Sequence, residues 1–324
     1  MGAGMQLSDR VGRRMKLQDL HVLMTVVRAG SMGKAAEHLN TSQPNISRSI
    51  AGLEHALGVR LLDRRPQGVE PTKYGRALVD CGMAVFDDLR QGVKNIEFLS
   101  DPAVGEIRIG GDSGSLSGVV PAAISRLRRE FPRIDVHVTL IASIPQQRSA
   151  LRERRLDLVF GHIAQPLDDD LDIEQLFEEL TFFVVAGRHN PWCRRRQIKL
   201  AELMQEPWSL PSRDSVVETN LVEGFRLSGL EYPRTRVVTG PINMQSTLVT
   251  SGPFLACVSG SVLRLGLLKG QPIKVLPVEI PAPPSLVGIT TLKGRTINPV
   301  AQLFIKCARE VVKPLLKTPR QRFE

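Results

Sequence analysis

Three short amphipathic segments near the N-terminus constrain the fold of this chain more than any other feature. Their apolar residues recur every three or four positions, which is typical of helices with one buried face. The pattern predicts helices over residues 17–28, 32–39 and 43–57. Gly30 and Gly58 follow the first and third segments, where a helix C-terminus favours glycine. Ser31 and Ser42 precede the second and third as N-caps. The short turn at residues 40–41 therefore predicts a helix-turn-helix.

The third predicted helix has a polar first half that carries no carboxylate. The first acidic residue after Ser42 is Glu54, and the exposed face before it presents amides, hydroxyls and a guanidinium. Those residues are Gln43, Asn45, Ser47, Arg48 and Ser49. Such groups contact base edges in the major groove, and a helix N-terminus favours phosphate. A solvated surface is the ordinary alternative for any one of them, although surface helices usually mix Glu with Lys. The spacing favours DNA contact.

A predicted hairpin follows the third helix. Val59–Leu62 is predicted as a short strand, and residues 63–68 as a turn with Arg64 and Arg65 at its tip. Val69 begins the return segment. A wing of this kind places its arginines against phosphates or in the minor groove.

The distribution of charge supports the same interpretation. The net charge is +10, and residues 1–75 hold 11 Lys+Arg against 6 Asp+Glu, whereas the remaining residues hold 32 against 27. The first quarter of the chain is thus more than three times as positive per residue. A basic surface attracts polyanions, so the location of the charge favours a nucleic-acid contact in this quarter.

Residues 20–75, LHVLMTVVRAGSMGKAAEHLNTSQPNISRSIAGLEHALGVRLLDRRPQGVEPTKYG, resemble the winged helix-turn-helix of the LysR-type transcriptional regulators. The resemblance lies in the order AGS, KAAE.L, SQP..SR.I..LE..LG..L..R and T..G. It implies contacts to double-stranded DNA with a dyad operator, and RNA polymerase as a partner. The implied DNA-binding residues are Ser42, Gln43, Pro44, Asn45, Ser47 and Arg48, supported in the wing by Arg64 and Arg65. Asn45 stands where the family usually has alanine, so a different operator preference is expected.

One long helix is predicted over residues 74–99. Its apolar residues recur near heptad spacing, at Leu78, Val85, Leu89, Ile96 and Leu99. Packing against a domain would explain the stripe, but the corresponding helix of the family pairs two subunits. The resemblance therefore implies a homodimer or homotetramer. Asp101-Pro102-Ala103 is predicted as a hinge.

The pattern of the second half alternates strands and helices. Strands are predicted at 106–110, 136–141, 156–160, 180–186, 236–238, 254–258 and 286–292, and helices at 120–131, 147–154, 218–227, 244–251 and 299–316. This order predicts a mainly parallel α/β sheet with helices on both faces. By resemblance it is the two-lobed effector domain of the family, which is similar to periplasmic solute-binding proteins. The C-terminal run from Leu286 to Phe304 is similar to the subgroup of galactose-binding-protein regulators.

The predicted domain organisation follows from these segments. It comprises an N-terminal extension (1–15), the winged helix-turn-helix (16–75), a linker helix and hinge (76–103), the effector domain (104–318) and a tail (319–324). Lobe one of the effector domain is predicted over 104–180 and 283–318, and lobe two over 181–282.

Polar residues at the predicted strand ends mark a candidate effector site, because ligands of such sheets bind there and against helix N-termini. The candidates are Ser113, Gly114, Ser115, Ser143, Gly161, His162, Asp214, Ser215 and Asn243. Hydroxyls and free N–H groups suit an anionic or hydroxyl-bearing molecule, such as a sugar or an organic acid. Serine and asparagine also cap helices in these places, and a lone His162 also fits a structural role.

Other functional classes fit the sequence less well. Gly111–Gly114 reads GDSG, as in trypsin-like proteases, but it follows the first strand of an α/β unit, and no suitably placed His–Asp pair is evident. No glycine loop matches the phosphate-binding pattern of nucleotide enzymes. An architectural DNA-binding protein would not need the large second half. An enzyme is therefore not expected.

Location and cofactors are predicted from what the sequence lacks. The four cysteines are too far apart for a zinc site, so no metal or cofactor is predicted. No apolar run approaches the ~20 residues of a membrane helix, and the N-terminus has no signal-peptide pattern. A periplasmic solute-binding protein is thereby disfavoured, and a cytoplasmic protein without a membrane partner is expected.

Overall fold

The computed structural model describes residues 15–66, 68–213, 215–234, 236–265 and 270–317. The chain divides into two compact units, Met1–Arg90 and Gln91–Glu324. The predicted extension lies outside the described residues except for Met15, as do Asp214 and the predicted tail. Within the described part, no helix is both long enough and apolar enough to cross a membrane.

The N-terminal unit contains the three predicted helices, and each begins and ends within a residue or two of its predicted bounds. They are α1 (Leu17–Ala29), α2 (Met32–His38) and α3 (Gln43–Leu57). Gly30 and Gly58 end α1 and α3 in the left-handed conformation, with φ of 65° and 70°. Leu23, Ala35 and Ile46, one from each helix, are no more than 1% exposed and belong to one core.

The hairpin differs from its prediction. Strand β1 spans Leu62–Arg65 and pairs antiparallel with β2, Gly68–Pro71, so that Arg65 lies opposite Gly68. Arg64 and Arg65 therefore lie in a strand, and the prediction that placed them at the tip of a six-residue turn was wrong. The reason is that Leu61, predicted within the strand, is buried, and both its N–H and that of Leu62 donate to the Glu54 carboxylate at 2.7 and 3.3 Å.

The T..G motif explains how the next helix, α4 (Lys73–Ser100), begins. Thr72 Oγ1 accepts a hydrogen bond from the Gly75 N–H at 3.1 Å and donates to the Arg60 carbonyl at 2.8 Å. A Cβ on Gly75 would lie 2.0 Å from the carbonyl oxygen of Leu61. Only glycine permits this close approach, so the motif fixes the helix to the base of the hairpin.

The C-terminal unit is built on one eight-stranded sheet. Its strands are β3 (Val104–Gly111), β4 (Arg133–Leu140), β5 (Leu158–His162), β6 (Leu171–Gly187), β7 (Trp208–Leu210), β8 (Arg236–Val238), β9 (Leu255–Ser259) and β10 (Ile273–Leu292). The sheet order is β4-β3-β5-β10-β6-β9-β7-β8. Its helices are α5 (Ser113–Ser117), α6 (Val119–Glu130), α7 (Ile144–Arg152), α8 (Val216–Leu227), α9 (Ile242–Ser251), α10 (Gly260–Arg264) and α11 (Pro299–Lys317).

The sheet is mixed, because two long strands run through its centre. Strands β6 and β10 pair antiparallel with each other, and also with β9 and β5 respectively, whereas the outer strands pair in parallel. The sequence predicted only residues 180–186 of β6 and 286–292 of β10. Register shifts interrupt the pairing near Pro281 and near Glu279, and prolines and bulges of this kind break the alternating pattern on which strand prediction depends.

Separate apolar cores lie at the two ends of the long strands. One contains Ile107, Phe160 and Phe304, and it uses Phe177 of β6 and Val287 of β10. The other core contains Trp208 and Phe225, and it uses Phe182 of β6 and Ile280 of β10. The cores thus change between 177 and 182 and between 280 and 287, close to the predicted lobe boundaries, which we retain as a proposal.

Candidate functional site

The polar face of α3 is exposed, as its sequence predicts. Ile46, Ile50 and Leu53 are buried in the core, which turns the opposite face of the helix to solvent. The predicted DNA-binding residues on that face are exposed except for the half-buried Ser47; they are Ser42, Gln43, Pro44, Asn45 and Arg48. The Ser42 side chain makes no capping hydrogen bond. The helix therefore presents hydroxyl, amide and guanidinium groups together at its N-terminal half.

Side-chain hydrogen bonds connect several of these groups. Asn45 Nδ2 donates to Thr41 Oγ1 at 3.2 Å, and Asn45 Oδ1 accepts from Arg48 Nη1 at 3.2 Å. Arg64 Nη2 lies 3.5 Å from Ser47 Oγ, at the limit of a hydrogen bond. Asn45 thus contacts Arg48 in addition to being available for a base. The family's usual alanine could not make this contact.

Charges in the wing are unevenly available. Arg65 forms an ion pair with Glu70 across the hairpin at 3.1 Å, and both side chains are more than half exposed. An exposed pair of this kind contributes little to stability and can exchange for another anion. Glu54, the first acidic residue of α3, is occupied by the backbone at the base of the wing. The face predicted to contact DNA therefore keeps its positive charge.

A cavity in the C-terminal unit lies where the carboxyl ends of β3 and β5 meet loops and helices of lobe two. It encloses about 70 Å³. Four of the predicted effector-binding residues line it: Ser113, Gly114, His162 and Ser215. Strand order explains why β3 and β5, distant in sequence but paired in parallel, bring Ser113 and His162 together.

The other predicted effector-binding residues lie elsewhere. Ser115 lies behind the cavity and donates to Asp112 Oδ2 at 3.0 Å, and a Cβ on Gly161 would lie 2.5 Å from the same oxygen. Ser143 is the N-cap of α7. Asn243 is exposed, with its Oδ1 3.0 Å or less from the Met244 N–H. Asp214 is outside the described residues.

Most of the cavity wall was not predicted from the sequence. The further lining residues are Asp112, Ala142, Phe182, Pro211, Ser212, Val217, Gly240, Ile242, Gln245, Cys257, Val258, Ser259 and Val262. Asp112 stands in the polar loop after the first strand, which could have marked it. Phe182 and Val258 belong to strands, where the sequence does not distinguish a residue that lines a cavity from one that fills a core.

Asp112 and His162 form a buried pair beside the cavity. His162 Nδ1 lies 3.3 Å from Asp112 Oδ2, and the side chains are 7% and 13% exposed. The carboxylate also accepts hydrogen bonds from the Ser115 N–H at 2.9 Å and from the His162 N–H at 3.3 Å. Burial alone would raise the pKa of Asp112, but the hydrogen bond and charge of His162 outweigh it and lower that pKa to about 2. Burial lowers the pKa of His162, but Asp112 outweighs it, so the net shift is upward.

This pair was not expected from the sequence, which showed no suitably placed His–Asp pair beside the GDSG segment. A serine-hydrolase triad would also need a serine hydroxyl hydrogen-bonded to the second ring nitrogen. His162 Nε2 is buried and has no hydrogen-bond partner among the described residues. Ser113 Oγ instead accepts a hydrogen bond from the Ile242 N–H at 2.9 Å. The contact that defines the triad is therefore not made.

The Ser113 contact joins the two lobes. Ser113 follows β3 in lobe one, and Ile242 is the first residue of α9 in lobe two. The hydrogen bond closes one side of the cavity and occupies an N–H group at the N-terminus of α9. A ligand that binds here can replace or strengthen this contact, which gives the cavity a physical connection to the arrangement of the lobes.

The buried pair predicts a pH-dependent stability. Because the pKa of Asp112 is lowered, its contribution is present above 3.8 and is lost as the pH falls towards 2. Because the pKa of His162 is raised, its contribution is present below 6.5 and is lost as the pH rises through the higher value. We expect Asp112→Asn to destabilise the C-terminal unit by on the order of 2 kcal/mol between these limits. The measurement is Tm against pH for both proteins. A difference in Tm that is constant with pH would contradict the pairing.

Sequence and structure comparisons identify relatives over most of the chain. Residues 17–76 match the family of bacterial regulatory helix-turn-helix proteins described as lysR, and residues 100–313 match the LysR substrate binding domain. The transcriptional regulator TdcA of Escherichia coli (strain K12) is 26% identical over 296 residues, covering 91% of this chain and 93% of TdcA. GbpR of Azospirillum brasilense is 23% identical over 298 residues, covering 91% and 86%. These identities do not separate subgroups, so the subgroup stays a prediction.

The fold has the same relatives. The crystal structure of full-length CbnR, complexed with its target DNA, gives a TM-score of 0.62 at 20% identity, covering 92% of this chain and 100% of CbnR. This likeness bears on the fold alone, and it agrees with the winged helix-turn-helix and the two-lobed α/β unit described above. The chain belongs to the LysR family: it is a DNA-binding transcriptional regulator with a C-terminal effector-binding domain.

Proposed function

We propose that this regulator binds a dyad operator through α3 and the wing, and that a small molecule in the cavity beside Ser113 and His162 controls its activity. The observation that carries the proposal is the polar face of α3, whose exposed Asn45 and Arg48 are hydrogen-bonded to each other. Preorganised amide and guanidinium groups suit base edges in the major groove. Arg64 and Arg65 would contact the backbone beside it. Positions outside the cavity, such as Ser143 and Asn243, are not part of the proposed effector site.

The proposed assembly is a homodimer or homotetramer that acts on RNA polymerase at a promoter. One winged helix-turn-helix contacts few base pairs, so joining two of them on one dyad multiplies specificity. The proposed place of action is the cytoplasm, where bacterial DNA lies. No catalytic role is proposed, because Ser113 and the ring of His162 make no contact that would activate a nucleophile.

The proposed effector, a sugar or an organic acid, acts by changing how the lobes are arranged. It can do so only by the difference between its affinities for the two arrangements. The hydrogen bond from Ile242 to Ser113 supports this coupling, because it joins the lobes at the cavity itself.

A footprint on the DNA upstream of the regulator's own gene tests operator binding, at physiological salt and with competitor DNA. We expect a protected region with dyad symmetry. Unlocalised protection that disappears with salt would leave only charge-driven binding and would refute the operator.

The effector site is tested by Ser113→Ala in the same footprint. The alanine removes the hydroxyl from the cavity and from the contact to Ile242, while the N-terminal unit is unchanged. We expect DNA protection to persist and its response to propionate, butyrate or D-galactose, whichever alters the wild-type footprint, to be lost. Ser143→Ala, a serine of the same region that does not line the cavity, is the control and should respond as wild type. A normal response of Ser113→Ala would refute the site.

A further inference from the structure

We propose that the effector is a small monocarboxylate with a short aliphatic body, and that His162 is the charged donor that binds its carboxylate. This inference rests on the proposed function, because it takes the cavity beside Ser113 as the effector site. It decides between the sugar and the organic acid.

The protonation of His162 follows from its neighbours. Asp112 Oδ2 already accepts from the Ser115 hydroxyl and the His162 backbone N–H, so it faces Nδ1 as an acceptor and Nδ1 must carry a proton. The nearby charges are Asp112 itself and Glu179 of β6, which both favour the imidazolium. Arg264 of α10 lies 3.8 Å from Glu179 and balances that carboxylate. His162 therefore carries a positive charge more readily than an exposed histidine does.

The second ring nitrogen is the group that lacks a partner. The His162 side chain is 7% exposed and lines the cavity, and Nε2 makes no hydrogen bond within the described part of the chain. A buried N–H without an acceptor is destabilising. A carboxylate is the acceptor that forms the strongest hydrogen bond with an imidazolium.

A second donor lies near the first. Ser113 Oγ accepts from the Ile242 N–H, so its own hydrogen is directed elsewhere and is available to the other carboxylate oxygen. The N-terminus of α9 at Ile242 also favours an anion. Among the described residues that line the cavity there is no lysine or arginine. A single negative charge thus matches the one charged donor, His162, whereas a dianion would leave a charge without a partner.

The size and walls of the cavity favour a short aliphatic body. Each water-sized position takes roughly 10–15 Å³, so 70 Å³ holds roughly five to seven non-hydrogen atoms. A hexose has about twice that number. The remaining wall is largely apolar, with Phe182, Val217, Val258 and Val262, and would leave most sugar hydroxyls without partners.

The experiment is calorimetric titration of the full-length protein with propionate, butyrate, propionamide, butyramide and D-galactose. We expect the two acids to bind, their neutral amides to bind at least tenfold more weakly because a charge-assisted bond is lost, and galactose not to bind. The affinity for the acids should fall as the pH rises through the pKa of His162.

Two variants locate the binding. His162→Gln keeps a polar side chain of similar length but removes the charge, and it should weaken butyrate binding at least tenfold. The matched control is His137→Gln, at an exposed position of β4, which should bind as wild type. If His162→Gln does not fold, the comparison of acids with amides on the wild-type protein still decides the charge requirement.

The outcomes separate this inference from the proposed function. Equal binding of acids and amides, or no binding of either acid, would overturn the monocarboxylate. Galactose binding that Ser113→Ala abolishes would overturn it while leaving the proposed effector site intact. Acid binding that neither Ser113→Ala nor His162→Gln changes would refute both, since the ligand would then bind elsewhere.

Discussion

Replacing Arg48 by alanine is expected to weaken operator binding by about 1–3 kcal/mol, while binding to unrelated DNA changes far less. Arg48 is exposed on α3, and Asn45 holds its guanidinium through a 3.2 Å hydrogen bond. An arginine held in this way can form a bidentate contact with a guanine edge, which alanine cannot replace. The measurement is a competition titration with operator DNA and a scrambled sequence at the same salt concentration.

The matched control is Arg28→Ala, which removes one positive charge from an exposed position in the last turn of α1. It should lower affinity for both DNAs to a similar, small extent, because only the electrostatic contribution changes. If Arg48→Ala behaves in the same way as Arg28→Ala, then Arg48 contacts phosphate and does not determine specificity.

The helices of the N-terminal unit could be predicted from sequence because each boundary is encoded locally. Gly30 and Gly58 end their helices in the left-handed conformation that the sequence favours. The wing was not predictable to the residue. Its register depends on the Glu54 carboxylate, which holds Leu61 and Leu62 from seven and eight residues away along the chain. Local turn signals do not encode a contact of this kind.

The effector site was predicted in part for a related reason. Strand-end serines and glycines indicate which loops meet, so Ser113 and His162 were found. The partner of Ser113 is the Ile242 N–H, 129 residues away in sequence, and that contact follows from the packing of two lobes. The Asp112–His162 pair likewise requires β3 and β5 to be neighbours, and the sequence does not state the strand order.

The stripe of α4 also divides in a way that only the structure shows. Leu78 packs against the core of the N-terminal unit. Leu89, Val93, Ile96 and Leu99 are 50%, 55%, 65% and 81% exposed in the single chain. Large aliphatic side chains in a row on a helix surface are destabilised by water, and each contributes roughly 1.5–3 kcal/mol when fully buried. The exposed part of the stripe is therefore where the pairing of two α4 helices is expected.

The double substitution Leu89→Glu and Ile96→Glu is expected to convert the assembly to monomers and to lower operator affinity by about a hundredfold or more. Four glutamates would meet at the interface of a dimer, two from each chain, and burying them without partners is strongly unfavourable. Separate winged helix-turn-helix units would then bind their half-sites independently and lose the gain that linkage provides, typically 10²–10⁴-fold. Sedimentation velocity and operator titration measure the two effects.

The matched control is Leu227→Glu, at a leucine of α8 that is 55% exposed and distant in sequence from the stripe. It introduces the same charge at a similarly exposed leucine and should leave the assembly unchanged. A double variant of α4 that still sediments as wild type would mean that another surface holds the subunits together. A monomeric variant with unchanged operator affinity would mean that one winged helix-turn-helix suffices, and that the dyad operator is not needed for specific binding.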